Sequence, residues 1–271
     1  MMRVEDKLFQ QLVSWFQNKN ERVIVALSGG VDSAVVAIAA KKALDKKAIA
    51  VTADYNTLST EELRSAKRVA KEIGIEHKII KYNELDNIEF VKNDELRCYH
   101  CRTELATYLS NEARQMDVDL IVDGTNSDDL SDIRPGIQAM RQNGIKSPLV
   151  ELRINKQDVR KIAKSNNLSV FDKPSNSCLA SRIPHGSPVT LEKLKRIEMA
   201  ESLIKSIFQV RQARVRDHHD IARIEVSKDE LTRTFDLQKI SEVDLKLKEL
   251  GFKHIALDLS GYKNRENLQN H

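Results

Sequence analysis

An apolar run, Val23-Ile24-Val25-Ala26-Leu27, ends in Ser28-Gly29-Gly30-Val31-Asp32-Ser33, and residues 32–44 that follow are rich in Ala and Val without a breaker. A short apolar run bounded by glycines reads as a buried strand, and the breaker-free stretch reads as a helix. A strand feeding such a loop into a helix N-terminus is built to hold an anion. The glycines allow close backbone approach, successive N–H groups form a concave cradle, and the helix end adds partial positive charge. Ser28 and Ser33 can donate from their hydroxyls. Asp32 would repel a phosphate unless a cation sat between them, so it implies Mg2+. A plain tight turn needs the Gly pair alone and gives no reason for two serines and an acid. The Gly-Lys-Ser/Thr ending of a Walker loop is absent.

The strand–helix alternation continues. Residues 48–53 read as a second strand and 59–73 as a second helix, with Ser59 and Glu62 placed as a capping box and Gly74 as the stop. Residues 77–82 read as a third strand, 101–116 as a helix, 119–123 as a fourth strand, 147–150 as a fifth and 156–166 as a helix. This rhythm implies an α/β fold with a doubly wound parallel sheet, whose ligands bind at the carboxyl ends of the strands. Asp54 and Tyr55 close the second strand, and Gly124 and Asp128 lie in the hydroxyl- and carboxylate-rich loop that closes the fourth.

After Pro174 the texture changes, with Pro184, Gly186 and Pro188 crowding one stretch. Beyond it the pattern reads as a helix at 191–208, strands at 213–216 and 221–226, a long helix at 228–250 and a strand at 254–259. The expected division is 1–174 as a nucleotide domain, and 175–271 as a linker loop followed by a smaller C-terminal α+β domain.

The net charge is +4, from 44 basic and 40 acidic residues, too even for a nucleic-acid binder recognised by charge alone. No apolar run approaches the roughly 20 residues that cross a bilayer. The start, Met1-Met2-Arg3-Val4-Glu5-Asp6, lacks the apolar core of a signal peptide, so the expected location is cytoplasmic. Cys98, Cys101 and Cys178 are an odd number, which suits a disulfide framework poorly. Three thiolates suit an iron–sulfur cluster with one open iron, zinc with an open position, or a redox pair plus a nucleophile.

The Ser28–Ser33 loop resembles the PP-loop of N-type ATP pyrophosphatases, which include NAD and GMP synthetases and tRNA thiolation enzymes. The resemblance implies an adenine nucleotide alpha hydrolase-like fold. It also implies ATP split between its α and β phosphates, AMP transferred to a substrate oxygen, and Asp54 and Tyr55 near the adenine and ribose. A wider likeness covers nearly the whole chain: Arg134-Pro135-Gly136, the stretch Cys178 to Gly186, Glu201, and the stretch Arg214 to Glu225. Together with the loop, these resemble the LarE family of sulfur transferases.

That resemblance implies a small nucleotide-like substrate, pyridinium-3,5-biscarboxylic acid mononucleotide, one carboxylate of which is adenylated before sulfur displaces AMP. Members with a single cysteine, matching Cys178, give up its sulfur. This sequence departs by adding Cys98 and Cys101, and the resemblance then implies a [4Fe–4S] cluster on all three cysteines that carries sulfide from a sulfur donor. A thiolate already on iron is a poor nucleophile, so the two roles of Cys178 exclude each other within one turnover. The family also implies a homo-oligomer, with hexamers among its members. Arg214 and Arg216 alternate along a predicted strand, where their guanidinium forks suit a substrate phosphate or simply a solvated edge. Ser181 and Arg182 follow the sulfur position and could orient substrate. Glu201 could bind Mg2+ or substrate, or lie on an exposed helix face. His218 and His219 read as a polar turn. Competing expectations are a tRNA thiolase of similar chemistry, and a nucleotide sensor whose cysteines hold structural zinc.

Overall fold

A computed structural model describes residues 3–131 and 134–262, so Met1 and Met2 of the sequence reading and the end of the expected 175–271 segment lie outside the described residues. The chain divides into two compact units, Met1–Phe90 with Glu95–Asn176, and Val91–Asp94 with Ser177–His271.

In the first unit α1 (Val4–Lys19) leads into β1 (Val23–Ala26), and α2 (Val31–Leu44) leads into β2 (Ala48–Asp54). Then come α3 (Thr60–Ile73), β3 (Glu76–Lys81), α4 (Ile88–Val91), α5 (Arg97–Gln115), β4 (Leu120–Val122), α6 (Pro135–Gln142), α7 (Pro148–Glu151) and α8 (Lys156–Ser165). The strands form one parallel sheet in the order β3-β2-β1-β4. Residues alternate across it, so Val23 and Val25 join a core with α1, α2 and α8, whereas Ile24 joins the opposite core with Leu105 and Leu109 of α5. Burial on both faces explains why β1 is continuously apolar, and it makes the sheet doubly wound, as expected. The small residues Ala34, Ala37, Ala39 and Ala40 let α2 be buried nearly all round.

Helix α3 is capped by Ser59, whose hydroxyl accepts from the Glu62 N–H, and stops at Gly74 in the left-handed conformation. The expected fifth strand at 147–150 is not a strand. Pro148 opens α7 instead, and pairing with the sheet reduces to a single bridge between Val122 and Lys146. Proline has no N–H for a ladder and its fixed φ suits the first position of a helix, so the apolar run was misleading.

In the second unit α9 (Leu191–Phe208) packs on a small sheet of β5 (Ala213–His218), β6 (Ile221–Val226) and β7 (His254–Leu257), together with α10 (Leu237–Glu249). The α+β character expected for this part is observed. The long helix expected at 228–250 is broken: a 3-10 stretch, Lys228–Thr234, ends before Asp236 caps α10 by accepting from the N–H groups of Gln238 and Lys239. An aspartate that can bond the backbone ahead of it favours a new helix start over continuation. Among the described residues no helix is long and apolar enough to cross a membrane.

Candidate active site

The loop between β1 and α2 is shaped by local chemistry. Gly29 has φ +78°, and a Cβ there would lie 2.6 Å from the Glu62 carbonyl and 2.8 Å from the Ala66 nitrogen, so only glycine fits between the loop and α3. Ser33, in the first turn of α2, accepts from the Ser28 N–H at 3.1 Å, and its hydroxyl lies 3.0 Å from that of Ser28. The Gly30 N–H points to the Ser28 hydroxyl at 3.4 Å. Backbone donors and two hydroxyls therefore converge where the positive end of α2 begins.

The loop after β4 closes on the same turn. A Cβ on Gly124 would sit 2.5 Å from the Ser33 nitrogen, so glycine is required for this approach as well. Asp123 is spent on its own loop, accepting from the Thr125 N–H and hydroxyl and from the Ser147 hydroxyl at 2.7 Å. Asn126, buried, donates to Asp32 Oδ1 at 3.1 Å, while its own Oδ1 accepts from the Asp128 N–H. The other oxygen of Asp32 receives the ammonium of Lys156. Asp128 accepts from the Lys156 N–H at 3.0 Å. On the opposite side of the loop the Gly29 carbonyl accepts from Ser65 Oγ at 2.9 Å and from Lys173 Nζ at 3.0 Å. Lys173 is itself paired with Glu62 at 2.8 Å, which also accepts from Asn176.

Asn126, Lys156 and Lys173 were not singled out as site residues from the sequence, and Glu62 was placed only as a helix cap. Lys156 left a signal: a lysine at the first position of α8 opposes the helix dipole and so needs a nearby acid. Glu62, placed by the sequence as a capping partner for Ser59, turns instead to Lys173.

Asp54 ends β2 and lies 3.8 Å from Lys81. Tyr55, next in the chain, has its ring 5.4 Å from that of Tyr82, which stacks on Tyr108 at 4.3 Å. Burial pushes the Tyr82 phenol well above its ordinary range.

Cys98 and Cys101 both lie in the opening turns of α5, three residues apart and hence on neighbouring positions of one face. None of the three cysteines is in a disulfide. The Arg97 guanidinium points to Cys98 Sγ at 3.8 Å, whereas Cys101 Sγ donates to Glu84 Oε1 at 3.6 Å. Glu84 is wholly buried and accepts from the N–H and hydroxyl of Thr57. Desolvation outweighs those bonds and pushes its carboxyl up to about 7.

In the second unit Cys178 precedes a 3-10 turn, Leu179–Arg182. Arg182 is 1% exposed and organises the whole turn. Its Nε and Nη2 donate to Glu201 at 2.7 and 3.2 Å. Its Nη1 donates to the carbonyls of Ser177 and Cys178 and to the hydroxyls of Ser177 and Ser181. Glu201 also accepts from the Val215 N–H of β5. Arg216, on the same strand, makes a two-pronged pair with Glu225 and donates to the Ser181 carbonyl at 2.7 Å. Arg214 is buried with its guanidinium 3.7 Å from the Tyr262 ring centre. Desolvation, then the charge of Arg182, lowers its pKa to about 10, with Arg216 adding a smaller push and Tyr262 opposing. The structure thus joins Cys178, Ser181, Arg182, Glu201 and Arg216 in one bonded set and places Arg214 beside it.

For Mg2+ the donor set fits, since the Asp32 carboxylate already holds a cationic group at the mouth of the loop. For an iron–sulfur cluster the paired thiols of Cys98 and Cys101 are the right chemistry and spacing. Among the described residues no group of three or more His, Cys, Asp or Glu side chains stands ready to hold a metal ion.

The parallel sheet and its Ser-Gly-Gly-x-Asp-Ser loop define the PP-loop class of ATP-splitting enzymes, and the asparagine synthase family matches residues 6–181. Relatives extend the likeness to nearly the full chain. An uncharacterised protein of Synechocystis is 39% identical over 92% of both chains. Another, from Methanocaldococcus jannaschii, is 32% identical over 90% of this chain and 92% of its own. The pyridinium-3,5-bisthiocarboxylic acid mononucleotide synthase of Lactiplantibacillus plantarum is 30% identical over 90% of this chain and 87% of its own. The chain belongs to the LarE family of PP-loop proteins and is an ATP-dependent sulfur transferase.

Proposed function

We propose that the chain adenylates a carboxylate of pyridinium-3,5-biscarboxylic acid mononucleotide and replaces one of its oxygens with sulfur. The observation that carries this reading is a phosphate loop and a cysteine-bearing turn in one chain that is 30% identical to a synthase of the bisthiocarboxylic product. In the chemistry proposed, a carboxylate oxygen attacks the α-phosphorus of ATP, the bond to the β-phosphate oxygen breaks, and pyrophosphate leaves with the electron pair. A sulfur nucleophile then adds to the acyl carbon and AMP departs. Ser28, Gly29, Gly30 and Ser33 supply donors to the phosphates, and Asp32 with Asp128 would hold Mg2+, which neutralises phosphate charge. Asp54, Tyr55 and Gly124 bound the nucleotide.

In this reading the 1–174 portion activates the substrate and the 175–271 portion receives it. Arg214 and Arg216 recognise the substrate phosphate, Ser181 bonds the substrate, and Arg182 with Glu201 positions the Cys178 turn. Cys98, Cys101 and Cys178 would hold a [4Fe–4S] cluster, which when bound supplies sulfide taken from a donor. The protein would work in the cytoplasm, where ATP is made and thiols stay reduced, as a homo-oligomer. Phe235 and Leu237, 62% and 83% exposed, are apolar surface suited to self-contact.

Two assays test the proposal together. Pyrophosphate release should depend on the biscarboxylate mononucleotide, and anaerobic reconstitution with iron and sulfide should give about four irons per chain. A zinc-loaded, colourless protein would remove the cluster. Release stimulated by tRNA instead of the mononucleotide would remove the substrate.

A further inference from the structure

Between α4 and α5 the chain leaves the first unit for four residues, Val91–Asp94, which belong to the second unit, and returns at Glu95. Asn93 anchors that crossing. It is 0% exposed and left-handed at φ 57°, a conformation that asparagine adopts more readily than most residues. Its two amide hydrogens are shared among the carbonyls of Ser187 at 2.7 Å, Pro184 at 2.8 Å and Ile183 at 3.4 Å. Its own carbonyl accepts from the Gly186 N–H at 3.0 Å, and the Val91 carbonyl accepts from the Val189 N–H at 3.0 Å. The partner turn is closed on itself, since the Ser187 N–H donates to the Pro184 carbonyl.

Both sides of this joint lead directly to cysteines. Downstream of Asn93, only Asp94, Glu95 and Leu96, all exposed, precede α5, whose first turns carry Cys98 and Cys101. Upstream of Ile183 lies the 3-10 turn Leu179–Arg182, with Cys178 directly before it. That turn is held by the Arg182 guanidinium, which donates to the Ser177 and Cys178 carbonyls. A buried amide spent on the carbonyls of one turn fixes where two segments of chain meet, whereas an apolar side chain would serve packing alone.

We propose that Asn93 is a positioning residue of the sulfur site: it pins the chain entering α5 to the chain leaving Cys178, so that Cys98 and Cys101 stay within reach of Cys178. The inference rests on the three-cysteine reading above and adds the residue that assembles that site. With the pin in place, the thiols are joined through two short connections instead of the 80 positions of chain from Cys98 to Cys178. The effective concentration of one thiol at the other rises as the connection between them shortens. Asn93 acts through the backbone that it binds, not on the sulfur.

The test treats the full chain, free of metal and under anaerobic conditions, with a short bis-maleimide. Peptides joining Cys178 to Cys98 or Cys101 are counted by mass spectrometry, beside the iron bound after reconstitution with iron and sulfide. Asn93→Gly keeps the left-handed backbone and loses the amide. It should lower the yield of those cross-links by about fivefold or more. Bound iron should fall from about four per chain to less than about one. The link between Cys98 and Cys101, within one helix, should be unchanged. Two glycines inserted between Asp94 and Glu95 leave the pin intact and lengthen the connection, so they should lower both readouts in the same direction. If Asn93→Gly does not fold, this insertion decides. Val243→Ala, which cuts into the core of the second unit, should lower the melting temperature and leave the cross-link yield in place. Equal cross-linking in the unsubstituted, Asn93→Gly and inserted chains would overturn the proposal while leaving the three-cysteine site standing. An equal loss in Val243→Ala would overturn it too, by making general loosening the cause. An unsubstituted chain that gives neither cross-link nor iron would remove the three-cysteine site itself, and this inference with it.

Discussion

The phosphate loop and the Cys178 turn solve the same problem, holding a reactive segment still, by opposite means. The loop is held largely through its own backbone: glycines with no room for a Cβ, hydroxyls of Ser28 and Ser33 bonded within the motif, and a helix end. The Cys178 turn is held by one buried guanidinium, Arg182, that gathers two carbonyls, two hydroxyls and the carboxylate of Glu201. Local holding tolerates change around it and forbids change within it. Holding by a single distant pair concentrates the risk in two side chains.

Four substitutions probe that contrast. Arg182→Met should have the largest effect on stability, about 3–5 kcal/mol, because it leaves the Glu201 charge buried without its partner. Denaturant unfolding measures it, and Arg182→Lys should recover little, since an ammonium cannot reproduce the two-pronged contact. Gly29→Ala comes next in stability and first in activity. A side chain at φ +78°, facing the Glu62 carbonyl at 2.6 Å, should cost about 1–3 kcal/mol and displace the donors, seen as loss of ATP binding by calorimetry. Glu62→Gln should cost less, about 1–2 kcal/mol, by weakening the pair with Lys173. If it abolishes nucleotide binding while Gly29→Ala does not, the loop is held from outside and the contrast fails.

The smallest effect is expected from pH. Burial, with the charge of Lys67 as a lesser cause, lowers the pKa of His77 below its ordinary value, and its ring is bonded to Thr52. The unfolded chain then binds more protons as pH falls below about 6.5, so stability is lost toward acid through that window. His77→Gln should flatten this part of the melting-temperature profile. An unchanged acid slope would assign it to other groups.

The same contrast explains what could be read from the chain before its structure. Val23 to Ser33 is a contiguous strand, loop and helix start, so periodicity and glycine chemistry were enough to place it. The sheet followed from the repeated alternation, and the error at Pro148 came from weighing an apolar run above the missing N–H. The break before Asp236 was missed because a cap and a helix interior differ by one hydrogen-bonding choice. What could not be read were partners distant in sequence: Lys156 for Asp32, Lys173 for Glu62, and the many bonds of Arg182. The sequence named Arg182 as a residue that could face substrate, but only folding shows how completely the Cys178 turn engages it.

The most direct test of the account counts products against protein. With ATP, Mg2+, sulfide, the reconstituted chain and the biscarboxylate mononucleotide, AMP, pyrophosphate and thiocarboxylate should accumulate in equal amounts and exceed the number of chains, with the protein mass unchanged. ADP and phosphate in place of AMP and pyrophosphate would contradict the ATP chemistry. A halt at one product per chain, with Cys178 converted to dehydroalanine, would contradict the cluster and make the cysteine itself the sulfur donor.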